Sequence, residues 1–400
     1  MSDVLRADPR ARALALVAAL VLVVLPSSAL ASGSPSAAPL PPVRHVWVIM
    51  LENESSDSTF GDPAADPYLA STLPSEGALL TKYYAIGHAS NDNYIGIVSG
   101  QPPNLENQLD CPLFDDFLGA GTIGDGIETG IGCVYPSSIQ NIGTQLTAVG
   151  RTWKDYDQDM GNLPSREAAV CGHPPVDGVD NTETAVSGDG YATRHNPFVY
   201  FHSVIDDPAY CDAHVVALGS PDGEMPAGAL PGETGLATDL RHASSTPTFS
   251  WITPNLCEDG HDYPCINEPS GPSALADIDG FLEAWVPLIT HSPAYRQGGL
   301  LEITFDEAED DDASACCGEP PSPAALFAPG IFGPGGGRIG AVLLSPYIAP
   351  GTVSDVPYNH YSSLASWEDL FGLPRLANAA FVPAVFGSDV FTAWPRRRLG

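Results

Sequence analysis

Residues 46–51, VWVIML, form an unbroken apolar run that stops at Glu52-Asn53. The run is short, partly β-branched and bounded by polar residues. That pattern specifies a strand buried on both faces. Such a strand needs a layer on each side of its sheet. Glu52 and Asn53 then stand at its carboxyl end, where open α/β sheets place their ligands. A capping role for Glu52 explains the same residues, so this stretch alone leaves both readings open.

Residues 300–305 repeat the arrangement: an apolar strand followed by Asp306-Glu307. Further strands are expected at 79–84, 198–204, 248–253 and 339–345. Helices are expected at 66–76, 94–99, 137–149, 272–289 and 361–371, the last stopped by Gly372. Alternating strands and helices predict an α/β sheet. Residues 101–245 are rich in Gly, Pro, Asp and Cys, with weak periodicity. They read as core elements carrying long insertions that could shape a pocket rim.

Residues 1–31 have the three parts of a secretory signal: Arg6, Arg10 and Arg12, then an apolar segment at 13–25, then Ala29-Leu30-Ala31. The apolar segment is too short for a comfortable membrane span. Residues 32–42 read as a Ser/Pro/Ala linker, 43–390 as the main domain and 391–400 as a tail. All eight cysteines follow the cleavage site, which in an exported chain implies disulfides. Cys257–Cys265, Cys111–Cys133 and Cys171–Cys211 are the expected pairs, with the adjacent Cys316-Cys317 bridged to each other or paired elsewhere. The formal charge is −33, with only two lysines, Lys82 and Lys154. Such a surface repels nucleic acid and anionic membrane, so neither is an expected partner.

Ser90, in GHASNDNYIGIVSG, sits where a helix should start, near unpaired N–H groups and the positive end of the helix dipole. That place suits a phosphate and a nucleophile attacking it. An N-cap role accounts for the same residue. The chain lacks G-x-S-x-G, H-E-x-x-H and a P-loop Lys-Ser/Thr.

Several segments, in order along the chain, resemble the secreted bacterial phosphoesterase family. That family holds phospholipases C and acid phosphatases related to alkaline phosphatase. Glu52-Asn53-x-Ser55-x-Asp57-x-x-Phe60-Gly61 is similar to its E-N-x-S-F-D-x-x-F-G signature, with Ser56 in place of Phe. His88, Ser90, Asn93 and Tyr94 match H-P-S-x-P-N-Y, with Ala89 and Asp92 replacing the prolines. His195 opens HNPFVYF, His261-Asp262 end PNLCEDGHD, and His360 lies in YNHYSSLASWEDLFGL, each similar to a family segment.

The resemblance implies a three-layer alkaline-phosphatase-like sandwich with a central, mostly parallel sheet. It implies Ser90 as nucleophile, Asn93 bonded to a phosphoryl oxygen, and His195, His261, Asp262 and His360 around the phosphate. His261 or His360 would protonate the leaving oxygen, and His88 could serve structure alone. Glu52, Asn53, Ser90, Asp306 and Glu307 would hold one divalent ion. An oxygen-only set favours Ca²⁺, Mg²⁺ or Mn²⁺ over Zn²⁺. Cys257 falls where zinc-binding relatives carry an Asp, which argues against a second metal. The expectation is a secreted, metal-dependent acid phosphatase acting on small phosphomonoesters without stable membrane association. Its rivals are a phospholipase C-type diesterase and a non-catalytic calcium-binding protein.

Overall fold

In a computed structural model, the described residues are 39–394, apart from 125, 169–170, 268–270, 310 and 319–333. The expected leader, most of the linker and the end of the tail lie outside them. The organising strand is β1 (His45–Leu51), buried from Val46 onward. Seven more strands complete its sheet: β2 (Ala78–Leu80), β3 (Trp153–Asp157), β4 (Val215–Ala217), β5 (Phe249–Thr253), β6 (Gly299–Phe305), β7 (Ala341–Leu344) and β8 (Thr352–Ser354). Their order is β8-β2-β7-β6-β1-β5-β3-β4. β1 pairs in parallel with both β5 and β6, and β7 is the one strand running against the rest.

Period-two alternation sorts the side chains to two faces. Trp47 pairs in register with Ser250 and packs towards Tyr295 on one face. Trp251, one residue on, meets Tyr94 on the other. Tyr94 belongs to α1 (Ser90–Ser99), which packs against α4 (His360–Phe371). α2 (Ile142–Ala148) starts with an Asn141 capping box, and α3 (Ala274–Thr290), capped by Ser273, packs on β6. The chain is thus an α/β structure with a mostly parallel central sheet.

The expected strand 79–84 is broken into Ala78–Leu80 in the main sheet and Tyr83–Tyr84 outside it, and two further places differ from the sequence reading. Residues 198–204 form helical turns, Pro197–Tyr200 and His202–Ile205, instead of a strand. Pro197 at the first position presets a helical φ, and a fully buried apolar run has no periodicity to separate strand from helix. β3, WKDYD, was hidden because Asp155 and Asp157 are buried despite their charge. All four disulfides among the expected pairs are formed, including Cys316–Cys317.

Glu302, in the middle of β6, is fully buried and accepts hydrogen bonds from Ser363 Oγ (2.5 Å) and Trp367 Nε1 (2.9 Å) on α4. Burial pushes its carboxyl up to about 7 from an ordinary 4.5. Below pH 4.5 both folded and unfolded chains carry the proton. As pH rises towards 7 the unfolded chain ionises first, so this contribution is lost across that window. The loss is on the order of 3 kcal/mol. The thermal midpoint should therefore fall between pH 4.5 and 7, and Glu302→Gln should flatten that fall. A wild-type midpoint that rises across the window contradicts the assignment.

Candidate active site

The site grows from the ends of three neighbouring strands. Leu51 and Phe305 are in register, so Glu52 and Asp306 emerge side by side from β1 and β6. The Asn53 N–H donates to Asp306 Oδ1 at 3.0 Å, with Asn53 in the left-handed region. Beyond β5 the chain turns through Asn255 to Asp259, whose carbonyl accepts the Glu52 N–H. Three carboxylates, Glu52, Asp306 and Asp259, therefore converge in full burial.

Ser90 opens α1 as its first helical residue, with Ala89 in the N-cap position. Its Oγ donates to Glu52 Oε2 at 3.1 Å, and the Tyr94 hydroxyl, one turn on, donates to Glu52 Oε1 at 2.7 Å. His195 stacks flat on Tyr94, rings 5.1 Å apart. Its Nε2 lies 3.4 Å from Glu52 Oε1, and its Nδ1 lies 3.2 Å from Asp259 Oδ2. Burial holds the His195 ring well below the usual imidazole range.

His261 is partly exposed, 5.6 Å from the His195 ring. Its Nδ1 meets Asp262 Oδ1 at 2.8 Å and its Nε2 meets Arg194 Nη2 at 3.0 Å. Burial pushes the Asp262 carboxyl up, but hydrogen bonds from His261 and the Ala185 N–H outweigh it and leave it lowered.

Two predicted site residues are placed differently from expectation. Asn93 is fully buried, and its amide is spent on the turn before Ser90: Oδ1 accepts from Ile86 and Gly87 N–H, and Nδ2 donates to the Gly87 and Ala89 carbonyls. Both donors and the acceptor are used, so it shapes the Ser90 turn instead of facing a phosphoryl oxygen. His360 is also fully buried. Its Nε2 donates to the Asp306 carbonyl at 2.7 Å, and Nδ1 faces the Tyr83 hydroxyl at 3.3 Å. Burial lowers it to about 4. With both nitrogens engaged it holds the Asp306 turn in place and is not set to protonate a leaving group. His88, between Glu307 Oε2 (3.2 Å) and the Asp312 carbonyl (2.9 Å), supports Glu307. Asn53, Glu307, Ala308, Glu309 and Asp311 line an open cleft of about 650 Å³.

Burial first, then the charges of Asp306 and Asp259, push the Glu52 carboxyl well above its ordinary value. Asp306 Oδ2 is buried without a hydrogen-bond partner. Converging buried carboxylates and an orphaned oxygen are the environment a cation relieves, so the residues present fit a divalent metal. A second donor set shares Glu52: one ligand atom each of Glu52, His195 and His261 lie within 4.8 Å of one another. Arg194 and Asp259 were not singled out in the sequence. Asp259 lies inside the PNLCEDGHD segment that resembles the family, whereas Arg194 directly precedes His195 and no motif position or spacing marks it.

The Phosphoesterase family model matches residues 63–374, which include Ser90, His195, His261, Asp306 and His360. A phosphate-repressible acid phosphatase from Penicillium chrysogenum is 26% identical over 345 residues, 85% of this chain and 64% of that protein. This chain thus spans less than two thirds of that relative's length. A phosphatidylinositol-3-phosphatase from Mycobacterium tuberculosis is 25% identical over 376 residues, 94% of this chain and 93% of that protein. Among solved structures, a member of the alkaline phosphatase superfamily from Vibrio parahaemolyticus aligns over 88% of this chain and 73% of its own, with TM-score 0.48 and 13% identity. The family model covers most of the chain, and its matched span carries Ser90 at the start of α1 and Asp306 at the end of β6: this chain belongs to the Phosphoesterase family.

Proposed function

We propose that this protein is an exported phosphomonoesterase of the acid phosphatase type, working through a phosphoserine at Ser90. The observation that carries the reading is the Ser90 hydroxyl at the start of α1, 3.1 Å from Glu52, which emerges from its strand beside Asp306. The Ser90 proton has an acceptor in the ground state, and the oxygen is aimed from a helix N-terminus that favours phosphate. Ser90 attacks phosphorus and its proton passes to Glu52. His261, steadied by Asp262, gives a proton to the departing alcohol oxygen. Water then attacks the phosphoserine and returns a proton to His261, and Glu52 returns its proton to Ser90 as phosphate leaves. His195 stacks on Tyr94, whose hydroxyl holds the Glu52 carboxylate, and His360 fixes the Asp306 turn.

Glu52, Asn53, Ser90, Asp306 and Glu307 are the residues that would hold a divalent ion. When bound, the ion would supply positive charge to the phosphate and to the Ser90 oxygen. Their oxygen donors favour Ca²⁺, Mg²⁺ or Mn²⁺. The mixed set of Glu52, His195 and His261 would suit zinc better, but Arg194 already occupies His261 Nε2 and a cation there would face a guanidinium. Export is supported by the leader-like residues 1–31 and by four disulfides.

The substrate is a small soluble phosphomonoester. A strongly acidic surface opposes an anionic bilayer. Among the described residues, no helix is long and apolar enough to cross a membrane. A phosphoinositide headgroup is the second reading, favoured by the mycobacterial relative that this chain covers almost end to end. kcat/KM should be higher for p-nitrophenyl phosphate than for phosphatidylcholine micelles at pH 5–7. A clear preference for the micelles would establish the diesterase rival instead. Phosphatidylinositol 3-phosphate against its soluble headgroup separates the two monoester readings.

A further inference from the structure

Arg194 is the basic side chain that reaches the carboxylate cluster, and it is 2% exposed. Its Nη1 is anchored to Glu183, by the carbonyl at 3.0 Å and by Oε2 at 3.3 Å. Its Nη2 rests on His261 Nε2 at 3.0 Å. Its Nε, on the same edge of the planar group as Nη2, is buried without a hydrogen-bond partner. An arginine always donates, so His261 Nε2 must be the acceptor of that contact. The guanidinium therefore has one edge fixed to the protein. The other edge holds one orphaned donor and one donor parked on the ring expected to serve the leaving group. Burial disfavours its charge, but Asp110, Glu183, Glu52 and Asp259 outweigh that and keep it charged.

Resting on the phosphomonoesterase reading, we infer that the Nε–Nη2 edge of Arg194 is the receptor for the phosphoryl group and sets the preference for monoesters over diesters. The planar fork matches two phosphoryl oxygens, which a point charge does not. Once one oxygen is taken up at the Ser90 end, a monoester still offers two charged oxygens to the fork. A diester offers one, because its third position carries an ester group. Moving Nη2 onto phosphate also frees the His261 Nε2 lone pair to take up a proton from solvent, the proton it then gives to the departing oxygen, so the site gains its proton donor only with a phosphoryl group in place. Asn91, next to the nucleophile, ties the two ends together: its Nδ2 donates to the Arg194 carbonyl at 3.3 Å.

The alternative role is a buried counter-charge that merely balances the carboxylates. Arg194→Lys separates the two, because it keeps the charge and loses the fork. The measurements are kcat and KM for p-nitrophenyl phosphate and its bis-ester, inhibition by inorganic phosphate, and calorimetric phosphate binding. The lysine variant should lose at least about tenfold in kcat/KM on the monoester and less than about threefold on the diester. The monoester KM and the phosphate inhibition constant should both rise. Parallel losses on both esters with unchanged phosphate inhibition would overturn the inference and leave the phosphomonoesterase reading intact. If the wild type hydrolyses neither ester, that reading fails. Phosphate binding that weakens in the variant would then still support the receptor role, and binding that is absent or unchanged would overturn it. Arg194→Met, checked by its thermal transition, should show the larger loss if it folds. If it does not, the lysine variant carries the test.

Discussion

Ser90→Ala should lower kcat on p-nitrophenyl phosphate by about 10³-fold or more with the fold intact, because removal of an activated nucleophile leaves only binding and electrostatics behind. The substitution deletes one oxygen at the first position of a ten-residue helix, where it donates to Glu52. The Ala89 N-cap and the Asn93 clamp on the preceding turn are untouched. Loss of activity without loss of the thermal transition therefore isolates the chemistry. A variant that keeps near-full kcat would remove Ser90 from the mechanism.

Asp306→Asn should cost on the order of 10²–10³ in kcat, the usual scale for a charge placed to serve a transition state. The same change should alter the response to metal. In the wild type, Ca²⁺, Mg²⁺ or Mn²⁺ should raise the thermal midpoint by binding the folded chain alone. EDTA should abolish activity, and returning the ion should restore it. In Asp306→Asn the rise in midpoint should shrink sharply, because the orphaned Oδ2 that would meet the ion is gone. If the wild-type midpoint and activity ignore both chelator and metal, the cation reading fails. If zinc alone restores activity, the donor set of Glu52, His195 and His261 replaces the oxygen set.

Both variants address residues legible in the sequence, and the reason is physical. Glu52 and Asp306 end apolar strands too uniform to be anything but buried, so their exit points are fixed by the strands themselves. Ser90 was legible because a helix start has its own polar signature, although Ala89 and not a polar residue takes the cap position. The partners of these groups were harder to see. Arg194 and Asp259 act through space, across gaps of 67 residues to His261 and 64 residues to His195, and no local period records such a meeting. Asn93 and His360 carry family motifs, yet full burial commits their polar atoms to backbone and core. A motif marks that a residue type is required, not which partner its hydrogen bonds reach. β3 went unseen for a related reason: Asp155 and Asp157, buried without hydrogen-bond partners, read as loop until the sheet encloses them.

The phosphoserine itself is the most direct test. Wild-type protein should be mixed with p-nitrophenyl phosphate, quenched in acid within the first turnover, digested and sequenced by mass spectrometry. The account predicts one added phosphoryl group on the peptide containing residues 90–99, located at Ser90, absent without substrate and absent in Ser90→Ala. Full turnover with no phosphopeptide at any quench time, or a phosphoryl group carried on His261 or His195 instead, would contradict it.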